Sequence, residues 1–256
     1  MAIRLIGMVH LGPLPGSPQF QGDFEVVLEG ATRDATVLAD AGFDAVMVEN
    51  FGDIPFFVDD VPKITVAAMA RAVTTIRGQI DLPLGVNILR NDALAALAVA
   101  ATCGASFIRV NVLSGTMHTD QGTISGRAAD LARMRAAVSP SIEVYADLFV
   151  KHATPPPGST ITQAAADTYR RGGADALIIS GTATGAAADV EQFVRVRAAV
   201  PEARLLAGSG ATIETIGGIL AHADGAIVGT SIKVGEETTA PVDPAKAAAF
   251  MKAAKK

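Results

Sequence analysis

Eight short apolar segments, rich in Val and Ile, alternate along the chain with Ala-rich segments that have the period of a helix. Uniformly apolar segments of this kind are typical of parallel strands that are covered on both faces. With no polar edge strand among them, they favour a closed (β/α)8 barrel, the TIM barrel, over an open doubly wound sheet. The predicted strands are Ile3 to Val9, Ala45 to Val48, Leu84 to Ile88, Phe107 to Val110, Ile142 to Ala146, Ala176 to Ile179, Arg204 to Ala207 and Ala226 to Val228.

The chain length of 256 residues agrees with one barrel domain over residues 1–256, since such barrels have about 250 residues. Half of the residues are apolar and 18% are charged, which supplies a large aliphatic core. The loop after the first strand, HLGPLPG from His10, is too rich in proline for the dinucleotide-binding turn of a doubly wound fold.

Helix starts are predicted from capping residues that precede helix-forming sequence. These predicted starts are Thr65, Asp92, Thr160, Asp189 and Thr212, and a closing helix is predicted from Pro244.

Charge and composition favour a small-molecule ligand. The net charge is -5 with acidic and basic residues interspersed, so the sequence gives no sign of nucleic-acid binding. It predicts neither a signal peptide nor a transmembrane segment. Cys103 is the only cysteine, which excludes an intrachain disulfide and agrees with a cytoplasmic location. The high aliphatic content suggests a homo-oligomer.

Polar residues stand where the predicted strands end, which in a barrel is where ligands bind. Because side chains alternate along a strand, Arg109 and Asn111 share one face, as do Tyr145 and Asp147, and these faces should point into the barrel mouth. Ion pairing for structure alone, such as Glu49 with Arg109, is the alternative. The full set is His10, Glu49, Asn50, Asn87, Arg90, Arg109, Asn111, Asp147, Lys151 and His152.

Two glycine-containing loops follow the last two predicted strands. Loops at these places commonly bind phosphate, because glycine lets backbone N–H groups approach an anion. The predicted phosphate-binding residues are Gly208, Ser209 and Gly210 in the first loop and Gly229, Thr230 and Ser231 in the second, with Lys233 adding a charge.

Glu49, Asp147 and Lys151 are the candidates for proton transfer, because burial can bring a lysine pKa toward neutrality beside a carboxylate. Asn87, Arg109 and Asn111 would orient substrate oxygens and stabilise negative charge. The sequence requires no cofactor. A divalent metal on His10, Glu49, Asp147 and His152 is an alternative that no compact motif supports. His118 lies in a segment, Thr116 to Gly122, that is a candidate lid.

Long sequence blocks also resemble the BtpA/SgcQ family. The blocks are GMVHLGPLPGSP (7 to 18), VENFGDIPF (48 to 56), GVNILRND (85 to 92), IRVNV (108 to 112), ADLFVKHA (146 to 153), GSGAT (208 to 212) and DGAIVGTSIK (224 to 233). The resemblance implies a barrel. One member of the family is linked to photosystem I accumulation and others to sugar-handling genes, so it does not imply a single reaction.

Two hypotheses follow. The first is an enzyme that acts on a phosphorylated sugar or nucleoside-like metabolite by isomerisation, aldol-type cleavage or glycosidic-bond chemistry. The second is a non-catalytic assembly factor that keeps the barrel and its ligand pocket, and it predicts an exposed apolar patch.

Overall fold

The computed structural model describes residues 4–181 and 189–255, and in it the eight predicted strands form a closed parallel barrel. Each strand pairs with its sequence neighbours, and the last pairs with the first, so the predicted barrel is confirmed. Of the first predicted strand, Ile3 lies outside the described residues. The strands are β1 Leu5–His10, β2 Ala45–Glu49, β3 Leu84–Asn87, β4 Phe107–Val110, β5 Glu143–Leu148, β6 Ala176–Ile179, β7 Arg204–Ala207 and β8 Gly225–Val228.

Helices lie between the strands and cover the outside of the barrel. Their apolar faces pack on the outward side chains of the strands, and this layer is the larger part of the core. The helices are α1 Phe24–Ala41, α2 Lys63–Arg77, α3 Ala93–Cys103, α4 Ala128–Val138, α5 Ile161–Ala166, α6 Val190–Ala199, α7 Ile216–Leu220 and α8 Pro244–Ala254; the π-helical turn Asp167–Arg171 continues α5.

The inward side chains form a second, smaller core that fills the barrel. Aromatic rings stack at its centre, with the ring centroids of Phe107 and Tyr145 4.7 Å apart. Because side chains alternate, every second residue of a strand points inward, and all strands except β3, whose inward residues are Gly85 and Asn87, contribute apolar side chains to this core. The members are Ile6, Met8, Ala45, Met47, Phe107, Tyr145, Ala176, Ile178, Leu206 and Ile227.

Three of the five predicted helix starts are confirmed as capping residues, namely Asp92, Thr160 and Asp189. The other two predictions are wrong. Helix α2 begins two residues before Thr65, after Pro62, whose side chain makes no capping bond. Thr212 instead accepts the amides of Glu214 and Thr215 in a turn before α7, so its capping bonds precede the helix.

The segment predicted as a lid forms a small antiparallel sheet beside the barrel mouth. Its strands Thr116–Thr119 and Gly122–Ser125 make a hairpin, and Ala153–Thr154 from the loop after β5 pairs with the first of them. Buried Met117 and Ile124 pack there with Val112 and Val150. His118 is exposed and contacts Thr123.

Gly85 on β3 is a position where the barrel interior has no room for an added carbon. A Cβ there would overlap the ring of Phe107, which cannot move because it is fully buried against Tyr145. We expect Gly85→Ala to lower the free energy of unfolding by about 1–3 kcal/mol, measured as a lower thermal midpoint. The control is Gly30→Ala in α1, where a Cβ would meet Arg33 at an ordinary 3.6 Å and should stabilise the helix by about 0.5–1 kcal/mol. Equal midpoints for the two variants would contradict this account of the interior.

Candidate active site

The last inward position of each strand contributes one residue to a ring at the carboxyl end of the barrel. Two residues earlier on each strand the interior is apolar or holds glycine, so the ring is the boundary between the core and the mouth. Ser180 is a member that the sequence analysis missed, although the alternation from Ile178 places it there. The ring consists of His10, Glu49, Asn87, Arg109, Asp147, Ser180, Gly208 and Gly229.

Arg109 and Asp147 form a buried, two-point ion pair. The Nε and Nη2 atoms of Arg109 lie 2.8 and 2.9 Å from the two carboxylate oxygens, and Ser180 Oγ lies 3.4 Å from one of them. Burial disfavours the charge on Arg109, but the contacts with Asp147 outweigh it and raise the pKa of the guanidinium. Since the Asp147 side chain is fully buried and used in this pair, it positions Arg109 and has no free oxygen for a substrate proton.

Glu49 is held by an amide rather than by an arginine. Asn87 Nδ2 donates to Glu49 Oε2 at 2.6 Å, as the pairing of the two residues across β2 and β3 requires. The alternative expectation of a Glu49–Arg109 ion pair is therefore wrong: the register sets Arg109 opposite Tyr145 on β5, and its guanidinium binds Asp147, two residues farther along that strand.

His10 lies beside Glu49, with Nε2 3.8 Å from Oε1, and packs against the ring of Phe51. Burial, together with the positive charges of Lys233, Lys151 and Arg109, lowers the pKa of His10 well below its usual value. The ring is therefore neutral at pH 7. Gly229 leaves room for it, since a Cβ at that position would lie 2.9 Å from His10 Cε1.

Lys151 and His152 come from the loop after β5. Burial, and then the charge of Arg109, lowers the pKa of Lys151, as the sequence analysis expected of a lysine at this place. Burial also lowers the pKa of His152, with Lys151 and Arg90 acting in the same direction.

One cavity of about 110 Å³ joins the two predicted phosphate loops to the charged side chains of the mouth. Ser231 Oγ donates to the carbonyl of Ala211 at 2.6 Å and so ties the loops together. The cavity is lined by the predicted residues His10, Glu49, Arg109, Lys151, Gly208, Ser209, Gly210, Gly229, Thr230 and Ser231, and also by Met8, Phe51, Ala211, Thr212, Ile227, Glu236 and Thr238.

Lys233 does not reach this cavity. Its side chain is buried behind the loop, where Nζ lies 3.4 Å from the carboxylate of Asp34 and 2.9 Å from the carbonyl oxygen of Ala240. The expectation that it adds a charge to the phosphate loops is therefore not met by its contacts; it anchors the segment after β8 to α1.

A second cavity, of about 150 Å³, adjoins the first and shares Glu49, Phe51, Arg109 and Lys151 with it. Asn111 lines this second cavity, and its Oδ1 atom is buried without a hydrogen-bond partner among the described residues. The other residues around it are Ile54, Phe56, Leu89, Arg90 and His152.

The alternative metal site is not assembled. Within residues 4–181 and 189–255, no three His, Cys, Asp or Glu side chains come close enough to hold a metal ion. Asp147 is bound to Arg109, and His152 lies in the cavity that does not contain His10, so the four residues considered as ligands do not converge.

A closed parallel barrel with helices between its strands and polar residues gathered at the carboxyl ends of the strands is a TIM barrel. The chain belongs to the BtpA family, whose model matches residues 1–256. It is 49% identical to an uncharacterized protein of Thermococcus kodakarensis, over 90% of this chain and 86% of the relative. It is 42% identical to the photosystem I biogenesis protein BtpA of Synechocystis sp., over 97% of this chain and 87% of the relative.

Solved structures support the fold. The chain is similar to N-(5'-phosphoribosyl)anthranilate isomerase from Pyrococcus furiosus, with a TM-score of 0.59 and 12% identity over 99% of each chain. It is also similar to KGPDC from Streptococcus mutans, with a TM-score of 0.63 and 15% identity over 100% of this chain and 98% of the other.

None of the helices in the described part of the chain combines the length and the apolar character that crossing a membrane demands. The cytoplasmic location and the homo-oligomer stay predictions.

The neutral state of His10 predicts a pH dependence of stability. The unfolded chain takes up a proton on His10 near pH 6.5 and the folded chain does so only at lower pH, so the free energy of unfolding falls as the pH falls below about 6.5. From about pH 7.5 to about pH 5.5 this one group should remove about 1.4 kcal/mol. Urea unfolding at both pH values should show that loss in the wild type but not in His10→Gln. The exposed control His118→Gln should keep it, and equal pH dependence in all three chains would refute a neutral, buried His10.

Proposed function

We propose that this protein is an enzyme that acts on a phosphorylated small metabolite, of the sugar or nucleoside-like class, by isomerase or lyase chemistry. The observation that carries the proposal is a single cavity lined both by the two glycine-containing loops and by Glu49, Arg109 and Lys151. A phosphate bound to the loops brings the rest of its molecule against these charged side chains.

Backbone amides supply the phosphate site. Among the described residues, the amides of Gly210, Ala211, Thr230 and Ser231 have no hydrogen-bond partner. Gly210 has a φ of 72°, which glycine adopts without strain, and the bond from Ser231 to Ala211 holds the two loops at a fixed separation. Amides presented in this way favour an anion without a dedicated lysine.

Proton transfer falls to Glu49, with Lys151 and His10 beside it. Asn87 fixes the Glu49 carboxylate by one oxygen, Oε2, and the other faces His10 at 3.8 Å. Arg109, held in place by Asp147, presents a permanent positive charge to the same space, where it would stabilise an oxyanion formed when a proton leaves the neighbouring carbon. This set suits proton abstraction beside a carbonyl group.

Glycosidic-bond chemistry is less well supported. That chemistry ordinarily needs two carboxyl groups that both reach the substrate. Glu49 lines the cavity, but both oxygens of Asp147 are bound by Arg109. Glu236 also lines the cavity, but it is exposed and its Oε1 lies 3.3 Å from Lys246 Nζ, so Glu49 is the buried carboxylate that remains available.

The second candidate is a non-catalytic assembly or biogenesis factor, and the name of the Synechocystis relative favours it. The exposed apolar side chains of Ile54, Phe57 and Ile64, on and next to the loop between β2 and α2, are the surface that it would use. It predicts that no phosphorylated compound is turned over.

The phosphate site is tested by a charge at Thr230. Its hydroxyl lies 3.0 Å from that of Thr238, a contact that either Asp or Asn can replace. Thr230→Asp should weaken binding of inorganic phosphate and of phosphorylated ligands at least about tenfold by charge repulsion, whereas Thr230→Asn, of the same size, should change it less than about threefold. Titration calorimetry measures both; equal affinities in the two variants would place the phosphate elsewhere.

Glu49 is tested by proton exchange. Once a phosphorylated compound that binds is found, its carbon-bound hydrogen should exchange with D2O in the presence of the wild-type protein, as followed by proton NMR. Glu49→Gln keeps the contact with Asn87 and should slow exchange at least about a hundredfold while affinity stays within about threefold. The surface variant Glu25→Gln is the control. Binding without exchange in the wild type would favour the assembly-factor function.

A further inference from the structure

Two cations in the second cavity lack the carboxylate partners that other buried cations of the chain have. Arg109 pairs with Asp147, and Lys233 pairs with Asp34. Arg90, which is 6% exposed, and Lys151, which is half-buried, form no ion pair with any described residue. Burying a charge without a counter-ion costs folding free energy, so the stability of the fold does not explain this arrangement.

The contacts of Arg90 leave most of its guanidinium available. Its Nη2 donates to the backbone carbonyl of Lys151 at 2.6 Å, which joins the two residues. This is its only side-chain hydrogen bond with a described residue, and the side chain lines the cavity. A planar guanidinium with further donors facing a cavity is suited to a planar anion.

The surrounding charges leave the cavity electropositive. Of the acidic residues around it, Glu49 lies at the boundary with the first cavity and Asp147 is neutralised by Arg109. Asp120, on the hairpin turn, adds a further attraction to Arg90 and His152. With Arg109 already set against Asp147, the cavity lining itself holds Arg90 and Lys151 against Glu49, so the end of the cavity farthest from Glu49 favours a negative group.

We propose that the second cavity binds a carboxylate group of the substrate, through Arg90 and Lys151. The inference rests on the proposed function and extends it, because the phosphate of the same molecule would occupy the first cavity. Phe56, Ile54 and Leu89 form apolar walls around a space of about 150 Å³, and the planar guanidinium of Arg90 at this space suits a planar carboxylate. The substrate class is then a phosphorylated sugar acid, with an anionic group at each end.

The two cavities meet at the proton-transfer residues. Glu49 and Lys151 line both, so a molecule anchored at its two ends presents its middle carbons to them. Fixing both ends supplies the orientation that a proton transfer needs.

Matched pairs of probes that differ in the carboxylate alone test the inference by calorimetry. The pairs are phosphoglycerate with glycerol phosphate, phosphoerythronate with erythritol phosphate, and phosphogluconate with glucitol phosphate. In the wild type, the acid of at least one pair should bind at least about tenfold tighter than its polyol. Arg90→Gln should bring that ratio below about threefold and leave the polyol affinity within about twofold. Arg133→Gln, the same charge change on exposed α4, should leave the ratio unchanged.

The outcomes separate this inference from the proposed function. Equal affinity of acid and polyol for all pairs would overturn the carboxylate site while the phosphate site stands. Binding of no probe would overturn both, and tighter binding of a sugar bisphosphate than of any acid would replace the carboxylate by a phosphate. Should Arg90→Gln fail to fold, Arg90→Lys, which keeps the charge but not the planar fork, should lower the ratio about threefold or more.

Discussion

The closure of eight parallel strands into a barrel is the constraint on which the site depends. In a closed parallel barrel all strands point the same way and their side chains alternate between interior and exterior. Once Met8, Met47 and Phe107 are committed to the interior, the residues two positions later, His10, Glu49 and Arg109, must also face inward. Apolar side chains fill the interior below them, so the polar groups of these residues lie together at the mouth, where they are buried against one another and against the loops. The site is therefore a consequence of strand register.

The Arg109–Asp147 pair determines how the charges of the mouth are divided. A buried ion pair contributes little net stability. Removing one partner leaves the other charge buried without a counter-ion, which lowers the free energy of unfolding by about 3–5 kcal/mol. Because Asp147 is bound by Arg109 through both oxygens, Arg109 is a fixed positive centre, and Glu49 is the buried carboxylate of the mouth that we propose exchanges protons. Glu49 and Asp147, which both stand at the end of a strand, thus differ because their hydrogen-bond partners differ. The same difference favours enolate-type chemistry over a mechanism that needs two carboxylates.

The barrel and the inward set were predictable because they follow from periodicity, which is a local property of the sequence. Alternation along each strand placed Arg109 with Asn111 and Tyr145 with Asp147, and the same rule would have found Ser180. Partner choice was not predictable, since it depends on contacts between strands: Glu49 meets Asn87 on β3, and Arg109 meets Asp147 on β5. Lys233 shows a second limit: it follows a phosphate loop, but backbone direction after Ile232 turns its side chain toward Asp34 on a helix that lies 199 residues away in sequence. The antiparallel sheet at Thr116–Ser125 was not predicted, because its strands are short and polar and its pairing with Ala153–Thr154 is non-local.

The cations of the mouth that have no ion-pair partner among the described residues favour an enzyme over an assembly factor. A protein acting through its surface gains nothing from keeping Lys151 and Arg90 in a cavity without counter-ions, and replacing them with apolar residues would stabilise the barrel. Perturbed, uncompensated groups that gather in one cleft are instead typical of sites where a ligand supplies the missing charge. Burial lowers the pKa of Lys151 and so brings it toward the range in which proton transfer operates, a property that protein docking does not require. Selection for the stability of the barrel alone would have left the mouth apolar or with every charge in an ion pair. The free-energy cost of the unpaired positive charges is therefore best explained by a substrate that carries negative charges.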